Sequence, residues 1–87
     1  MNWDDMRLFL AVARAESLTG AGKVLKLDPA TLGRRIARLE ETLGAALFAR
    51  SPRGYGLTEA GERLMARAVQ AEQALTEGAE ELRGQGG

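Results

Sequence analysis

The sequence predicts a mainly α-helical domain of three helices, a small two-stranded β-hairpin and a long C-terminal helix. Three observations point to it. Apolar residues recur at steps of three and four in the segments beginning at Trp3, Leu18 and Leu32, the period of a helix with one buried face. Ser51-Pro52-Arg53-Gly54 separates two short apolar pieces and reads as a hairpin turn. Beyond Thr58 a further helical pattern runs to about residue 83, interrupted only near Gly78.

Asn2 caps the first helix, which runs from Trp3 to about Ala15 and carries Asp4 and Asp5 in its first turn, where the helix dipole favours anions. Trp3, Met6, Phe9, Leu10 and Ala13 form its apolar stripe, which assigns both aromatic side chains to the core. Ser17 caps a second, shorter helix through Leu25, with Leu18, Ala21, Val24 and Leu25 directed inward. Gly20 and Gly22 weaken it by roughly 1 kcal/mol each relative to Ala. Lys26, Leu27 and Asp28 make a tight connection to the third helix.

That third helix, DPATLGRRIARLEETLG from Asp28 to Gly44, is the best marked. Asp28 is the N-cap, Pro29 occupies the first helical position without losing a needed N–H, and Gly44 is the expected left-handed C-cap. Leu27 and Leu32 are placed as a hydrophobic staple, and Leu32, Ile36, Leu39 and Leu43 form the core stripe. At about 100° per residue, Arg34 stands nearly opposite that stripe, with Thr31, Arg38 and Glu41 beside it. Arg35 lies on one flank; Ala30, Gly33 and Ala37 lie on the other. A helix entering a DNA groove needs cations for phosphates or guanine edges and little bulk where the backbone approaches. Taken alone, the same face also fits a solvated helix with arginines for solubility. A short helix, a tight turn and a longer helix with an exposed cationic face make a helix-turn-helix, with a plain helical hairpin as the alternative.

In the hairpin that follows, Arg53 sits at the tip and Arg50 at the base. Beside a groove-reading helix, such arginines suit a phosphate or the narrow minor groove, so the hairpin reads as a wing.

Thr58 caps the last helix, with Glu59 and Glu62 in its first turn. Leu57, Gly61, Leu64, Ala68, Ala71, Leu75 and Leu82 follow a seam of alternating three and four steps, the period of a helix packed lengthwise on another. No other segment is long enough to cover it. A second copy of the chain is therefore expected there, with Leu64, Ala68, Ala71, Leu75 and Leu82 at the dimer interface; a helix folded back over its own domain is the alternative. The expected organisation is a winged helix-turn-helix over 1–57, a linker and dimerisation helix over 58–83, and a disordered tail over 84–87.

Composition narrows the function. Eighty-seven residues suffice for one small domain. The absence of Cys and His removes disulfides, thiolate metal sites, the commonest metal ligand and the commonest general base. No apolar run approaches the ~18 residues of a membrane span and no signal-peptide pattern opens the chain, so a cytoplasmic protein is expected. The adjacent carboxylates Asp4/Asp5, Glu40/Glu41 and Glu80/Glu81 point about 100° apart on a helix and do not converge. No nucleophile and base pair, phosphate-cradling loop or metal-ligand cluster is present, so no catalytic residue, metal or cofactor is expected. Net charge is zero, but residues 1–57 hold nine basic against six acidic side chains, and residues 58–87 hold three against six. The positive field is local to the third helix and the wing.

From Trp3 to about Leu82 the chain resembles the N-terminal winged helix-turn-helix domain of LysR-type transcriptional regulators. The matching pieces are LFLAVARAESLTGAG, DPATLGRRIARLEETLGAALFAR and RGYGLTEAG, of which the last two are specific in order and spacing. The resemblance implies bacterial dimers that bind imperfect inverted repeats in double-stranded DNA near promoters, are nucleoid-associated when bound, and respond to small-molecule co-inducers. It implies that the start of the third helix lies in the major groove, that the wing arginine lies at the minor groove, and that the fourth helix pairs antiparallel with its mate. Carried over by position, Asp28, Pro29, Ala30, Thr31, Gly33 and Arg34 fall on base- and phosphate-contacting positions, and Arg53 on the wing position. Arg35, Arg38 and Arg50 join them as cations of the same region.

The chain departs from the resemblance in two respects. Relatives often carry a polar run such as Ser-Gln-Pro where Asp28-Pro29-Ala30 stands, and Ser at Gly33, which shifts the expected readout to Thr31, Arg34 and DNA shape. The inducer-binding part, two α/β lobes of roughly 200 residues, has no counterpart, so a co-inducer is expected only through such a domain; the chain is read as truncated after the linker helix, with a naturally short regulator that has lost its sensor as the alternative. The competing function is a protein-interaction module acting through the C-terminal helix, steered to a basic partner by Glu72, Glu77, Glu80 and Glu81. RNA fits less well, because the deep, narrow A-form major groove does not admit a helix.

Overall fold

The computed structural model describes residues 1–86, and its elements follow the expected order. They are α1 (Trp3–Ala15), α2 (Leu18–Leu25), α3 (Pro29–Leu43), β1 (Phe48–Ser51), β2 (Gly54–Leu57) and α4 (Glu59–Gly86). Each helix start carries the polar cap that the sequence offers. Asn2 and Asp5 exchange hydrogen bonds as a capping box, Asp5 N–H donating to Asn2 Oδ1 at 2.9 Å and Asn2 N–H to Asp5 Oδ2 at 3.2 Å. Ser17 Oγ accepts from Gly20 N–H at 2.8 Å, and Thr58 Oγ1 accepts from Gly61 N–H at 3.0 Å. Gly44, at φ 71°, closes α3 in the left-handed conformation. Glu16 and Lys26 close α1 and α2 in that same conformation without being glycine.

α1 is the centre of the packing, with α2, α3, α4 and β2 all against it. Leu8 and Val12 are therefore buried together with Met6, Phe9 and Leu10, and more than the single expected stripe lies inside. Leu32, Ile36 and Leu39 of α3 and Leu47 complete the centre. Phe9, Phe48 and Tyr55 stack in series, with ring centroids 5.4 Å apart at each step. Three side chains assigned inward by periodicity are outside: Trp3 is 48% exposed, Val24 76% and Leu43 39%. All three stand at helix ends, beyond the reach of the neighbouring elements that cover the helix middles.

The antiparallel hairpin pairs Phe48 with Leu57, Arg50 with Tyr55 and Ser51 with Gly54, leaving Pro52 and Arg53 as the turn. Gly54, at φ 124°, makes that turn possible.

α4 divides into two halves. Ala60, Leu64, Met65, Ala68 and Val69 pack on the domain's own core. Gly61 comes so close to Leu47 that a Cβ would lie 2.1 Å from its carbonyl oxygen. Glu72 is the last anchor, taking Arg14 Nη2 at 2.6 Å and Arg14 Nη1 at 3.0 Å. Ala68, expected on a dimer interface, is fully enclosed by its own chain, and Leu64 is half-buried there; the seam's first half is covered by the domain itself. Beyond Glu72, Leu75 and Leu82 are 60% and 72% exposed. The helix continues through Gly84 to Gly86, past the boundary expected at residue 83; of the tail assigned to 84–87, Gly87 lies outside the described residues.

Candidate nucleic-acid interface

The N-terminus of α3 is held by one carboxylate. Asp28 Oδ2 accepts from Ala30 N–H at 3.0 Å and Thr31 N–H at 3.2 Å, so this side chain is engaged as a cap and fixes where the helix begins. Pro29 follows, half-buried at the α2–α3 turn. Arg34 and Arg38 are exposed one turn apart, and Arg34 Nη2 reaches back to Thr31 Oγ1 at 3.2 Å. Thr31, Arg34 and Arg38 thus share one face, with Ala30 exposed at its start.

Two other expected residues also meet neighbours within the chain. Arg35 Nη2 lies 2.5 Å from Asp4 Oδ2, which turns this guanidinium toward α1 and away from the Arg34 face. A Cβ on Gly33 would lie 3.3 Å from Leu18 Cδ1, so glycine there serves the close crossing of α2 and α3. Periodicity placed both residues on the flanks of α3 but could not show which neighbouring helix occupies each flank.

The wing is fastened at both ends. At its root Glu40 Oε2, projecting from α3, accepts from Leu47 N–H at 2.7 Å and Phe48 N–H at 3.3 Å. Thr58 closes the other strand, its Oγ1 donating to the Ala46 carbonyl at 2.6 Å and its N–H to the Leu47 carbonyl at 2.9 Å. Near the tip, Tyr55 N–H donates to the Glu16 carbonyl at 3.0 Å, tying the wing to the α1–α2 turn. Arg50 lies over the Tyr55 ring, 5.6 Å from its centroid, and Arg53 is exposed at the turn.

A cleft between the starts of α2 and α3 and the wing is lined by Thr19, Ala30, Arg50, Ser51 and Tyr55. Thr19, Tyr55 and Glu40 were not among the site residues read from the sequence. Thr19 could have been found as a polar residue in the first turn of α2; Glu40 could not, because its partners are backbone groups seven and eight residues away.

Among the described residues, the ion pairs engage Arg7, Arg14, Arg35 and Arg63. Arg34, Arg38, Arg50 and Arg53 take part in none of them, nor do Lys23 and Lys26, nor Arg67 and Arg83 on α4. The cations of the helix-turn-helix face and wing are therefore uncompensated, as an anionic partner requires. The described residues contain no group of three or more carboxylate, His or Cys side chains placed to hold a metal, and no helix long and apolar enough to cross a membrane.

Comparison with known proteins agrees with this geometry. Residues 3–62 match the family model described as bacterial regulatory helix-turn-helix protein, lysR family. An uncharacterized HTH-type transcriptional regulator, y4mQ, of Sinorhizobium fredii is 42% identical over 77 residues, covering 88% of this chain and 26% of that protein. The BenM_DBD/benA site 1 DNA complex superposes with a TM-score of 0.85 at 28% identity, covering 95% of this chain and 96% of that one. The CbnR_DBD–DNA complex superposes with a TM-score of 0.82 at 29% identity over the whole of both chains. The chain spans 17 to 26% of the length of the first curated relatives it matches.

Proposed function

The chain belongs to the LysR family of bacterial helix-turn-helix regulators, and from that premise we propose that it reads an inverted-repeat operator in double-stranded DNA as a homodimer. The family and the fold are those of regulators' DNA-binding domains, not of enzymes. Its mode of reading follows from the distribution of free cations. In this reading Thr31, Arg34 and Arg38 enter the major groove from the start of α3, and Asp28 positions that start. Arg53 addresses the minor groove from the wing, and Arg50, held over Tyr55, meets phosphate. The single observation that carries it is the set Arg34, Arg38, Arg50 and Arg53, all exposed and none in an ion pair.

The dimer reading rests on the outer half of α4, where Ala71, Leu75 and Leu82 are exposed on one helical face, with half-buried Leu64 continuing it toward the domain. A partner helix there would set the spacing of two half-sites. A full-length regulator of this kind would sit in the cytoplasm, on the nucleoid when bound, and would take its co-inducer through a separate domain.

The test is selection from a random duplex pool by the purified chain at two salt concentrations. An enriched inverted repeat whose recovery falls at the higher salt supports the reading. A binding constant indifferent to salt would remove the phosphate contacts it depends on, and enrichment of single, unpaired half-sites would remove the dimer.

A further inference from the structure

Among the described residues, Arg50 is the one free cation of the interface with an aromatic ring beneath it, its guanidinium carbon 5.6 Å from the Tyr55 centroid. The two residues stand directly opposite each other in the hairpin register, so their side chains leave the same face. Phe48 and Leu57 share that face, two residues away along each strand. It is the face turned toward the domain, because Phe48 is buried there. Arg50 and Tyr55 therefore line the cleft that Thr19 and Ala30 border from the starts of α2 and α3, whereas Arg53 stands exposed at the turn.

We propose that Tyr55 is a positioning residue for DNA binding: its ring holds the Arg50 guanidinium at the cleft, in place for a backbone phosphate, before DNA arrives. The proposal deepens the reading above and rests on it. The ring is itself held from the core. It stacks on Phe48 at 5.4 Å, and Phe48 stacks at the same distance on Phe9, which is wholly buried. The Tyr55 N–H donates to the Glu16 carbonyl at 3.0 Å. The preceding Gly54 lies so close that a Cβ would come within 2.6 Å of that same carbonyl, so the strand is pressed against the α1–α2 turn as well as bonded to it. A free arginine carries a large rotamer entropy, which a phosphate contact must offset. Over an immobile ring, Arg50 loses part of that freedom on folding, and its contact with DNA costs less. The ring also orients the cation without cancelling its charge, whereas Asp4 holds Arg35 and neutralises it.

Two measurements test this. In the DNA-free chain, nitrogen relaxation by NMR should show the Arg50 Nε–H more restrained than those of Arg38 and Arg53; equal mobility overturns the proposal. On a duplex recovered from the selection above, Tyr55→Leu should weaken binding about two- to fivefold, and Tyr55→Phe, which keeps the ring, should recover that loss. In an Arg50→Ala background, Tyr55→Leu should cost nothing further. A merely structural Tyr55 would lower affinity equally with or without Arg50, and that result overturns the positioning role. So does a Tyr55→Phe as weak as Tyr55→Leu, which would assign the effect to the hydroxyl. If Tyr55→Leu fails to fold, the relaxation measurement decides alone. Failure of the unaltered chain to enrich any duplex overturns the DNA reading instead, and the selection alone identifies that case.

Discussion

Arg35 Nη2 lies 2.5 Å from Asp4 Oδ2, while the other oxygen of the same carboxylate holds Arg7 Nη2 at 2.9 Å. One aspartate in the first turn of α1 therefore separates two adjacent arginines of α3. Arg34 remains exposed on the face with Thr31 and Arg38; Arg35 spans the two helices.

The two arginines should respond differently to deletion. Arg34→Ala is expected to weaken specific binding by about 1–3 kcal/mol and to relax preference at one base position. Arg35→Ala is expected to lower the thermal midpoint slightly while leaving the slope of log affinity against log salt unchanged, since its charge is already paired. Titration of both variants at several salt concentrations checks this. A loss of one contact's worth of slope, about 0.9, in Arg35→Ala would return it to the phosphate set.

Glu40 transmits the position of α3 to the wing. Glu40→Ala leaves the Leu47 and Phe48 N–H groups without their acceptor in a partly buried place, a loss of about 1–3 kcal/mol in stability. DNA affinity should also fall beyond what the folded fraction explains, with the deficit concentrated on A·T-rich flanks, where the proposed reading puts Arg53. Glu40→Gln keeps one acceptor oxygen and should recover most of both. Binding of Arg53→Ala and of the Glu40→Ala, Arg53→Ala pair to the same flanks tests the link, because the two losses should not add.

Element order, caps and hairpin were legible in the sequence because each is encoded within a few residues, as at Asn2 and Asp5, Asp28 and Pro29, or Gly44. Which faces are covered was legible only in part. Trp3, Val24 and Leu43 follow the helical period but stand where no neighbour reaches, and Ala68 follows the dimer period but is covered by its own domain. The separate roles of Arg34 and Arg35 depend on Asp4, thirty-one positions from Arg35, and no local rule reaches that far. The cations Arg34, Arg38, Arg50 and Arg53 were legible as residues of one region, but that they stay out of ion pairs while Arg35 enters one was not.

Acid should loosen the fold at its two long-range ion pairs. The Arg35 hydrogen bond, and after it the one from Arg7, holds the Asp4 carboxyl below the usual aspartate range, and the Arg14 hydrogen bond does the same for Glu72. A carboxyl that binds its proton less tightly folded than unfolded adds stability above its ordinary value of about 4, and loses it as pH falls through that value and through the lower folded one. With no histidine in the chain, the unfolding midpoint should be nearly flat from pH 7 to about 5 and fall below about 4. Asp4→Asn with Glu72→Gln should flatten that fall, and so should high salt, because both pairs are exposed. An unchanged profile in the double variant would place the acid sensitivity elsewhere.

Close approach at Gly61 makes a sharp stability test. An added methyl would meet the Leu47 carbonyl, which is backbone and cannot rotate away. Gly61→Ala should therefore destabilise by about 1–3 kcal/mol or more, despite alanine's better helix propensity. Denaturant unfolding measures it; a stabilised variant would mean that α4 shifts freely along β1.

Glu16 offers the opposite result. It sits at φ 55°, a left-handed position that costs a residue with a side chain about 1–2 kcal/mol. Its backbone is committed, since the N–H donates to the Val12 carbonyl at 2.9 Å and the carbonyl accepts from Tyr55 at 3.0 Å. The side chain is exposed, and its carboxylate stands at the C-terminal end of α1, where the dipole disfavours an anion. Glu16→Gly should remove the backbone strain, lose part of the gain to the freer unfolded chain, and stabilise by about 0.5–1 kcal/mol. Glu16→Ala removes the same charge but keeps the strain, so it should gain far less. Both should bind DNA slightly more tightly at low salt, having lost an acid beside the wing. Denaturant midpoints and binding constants for the pair separate backbone from charge, and equal stability in the two variants would show that the left-handed turn carries no strain.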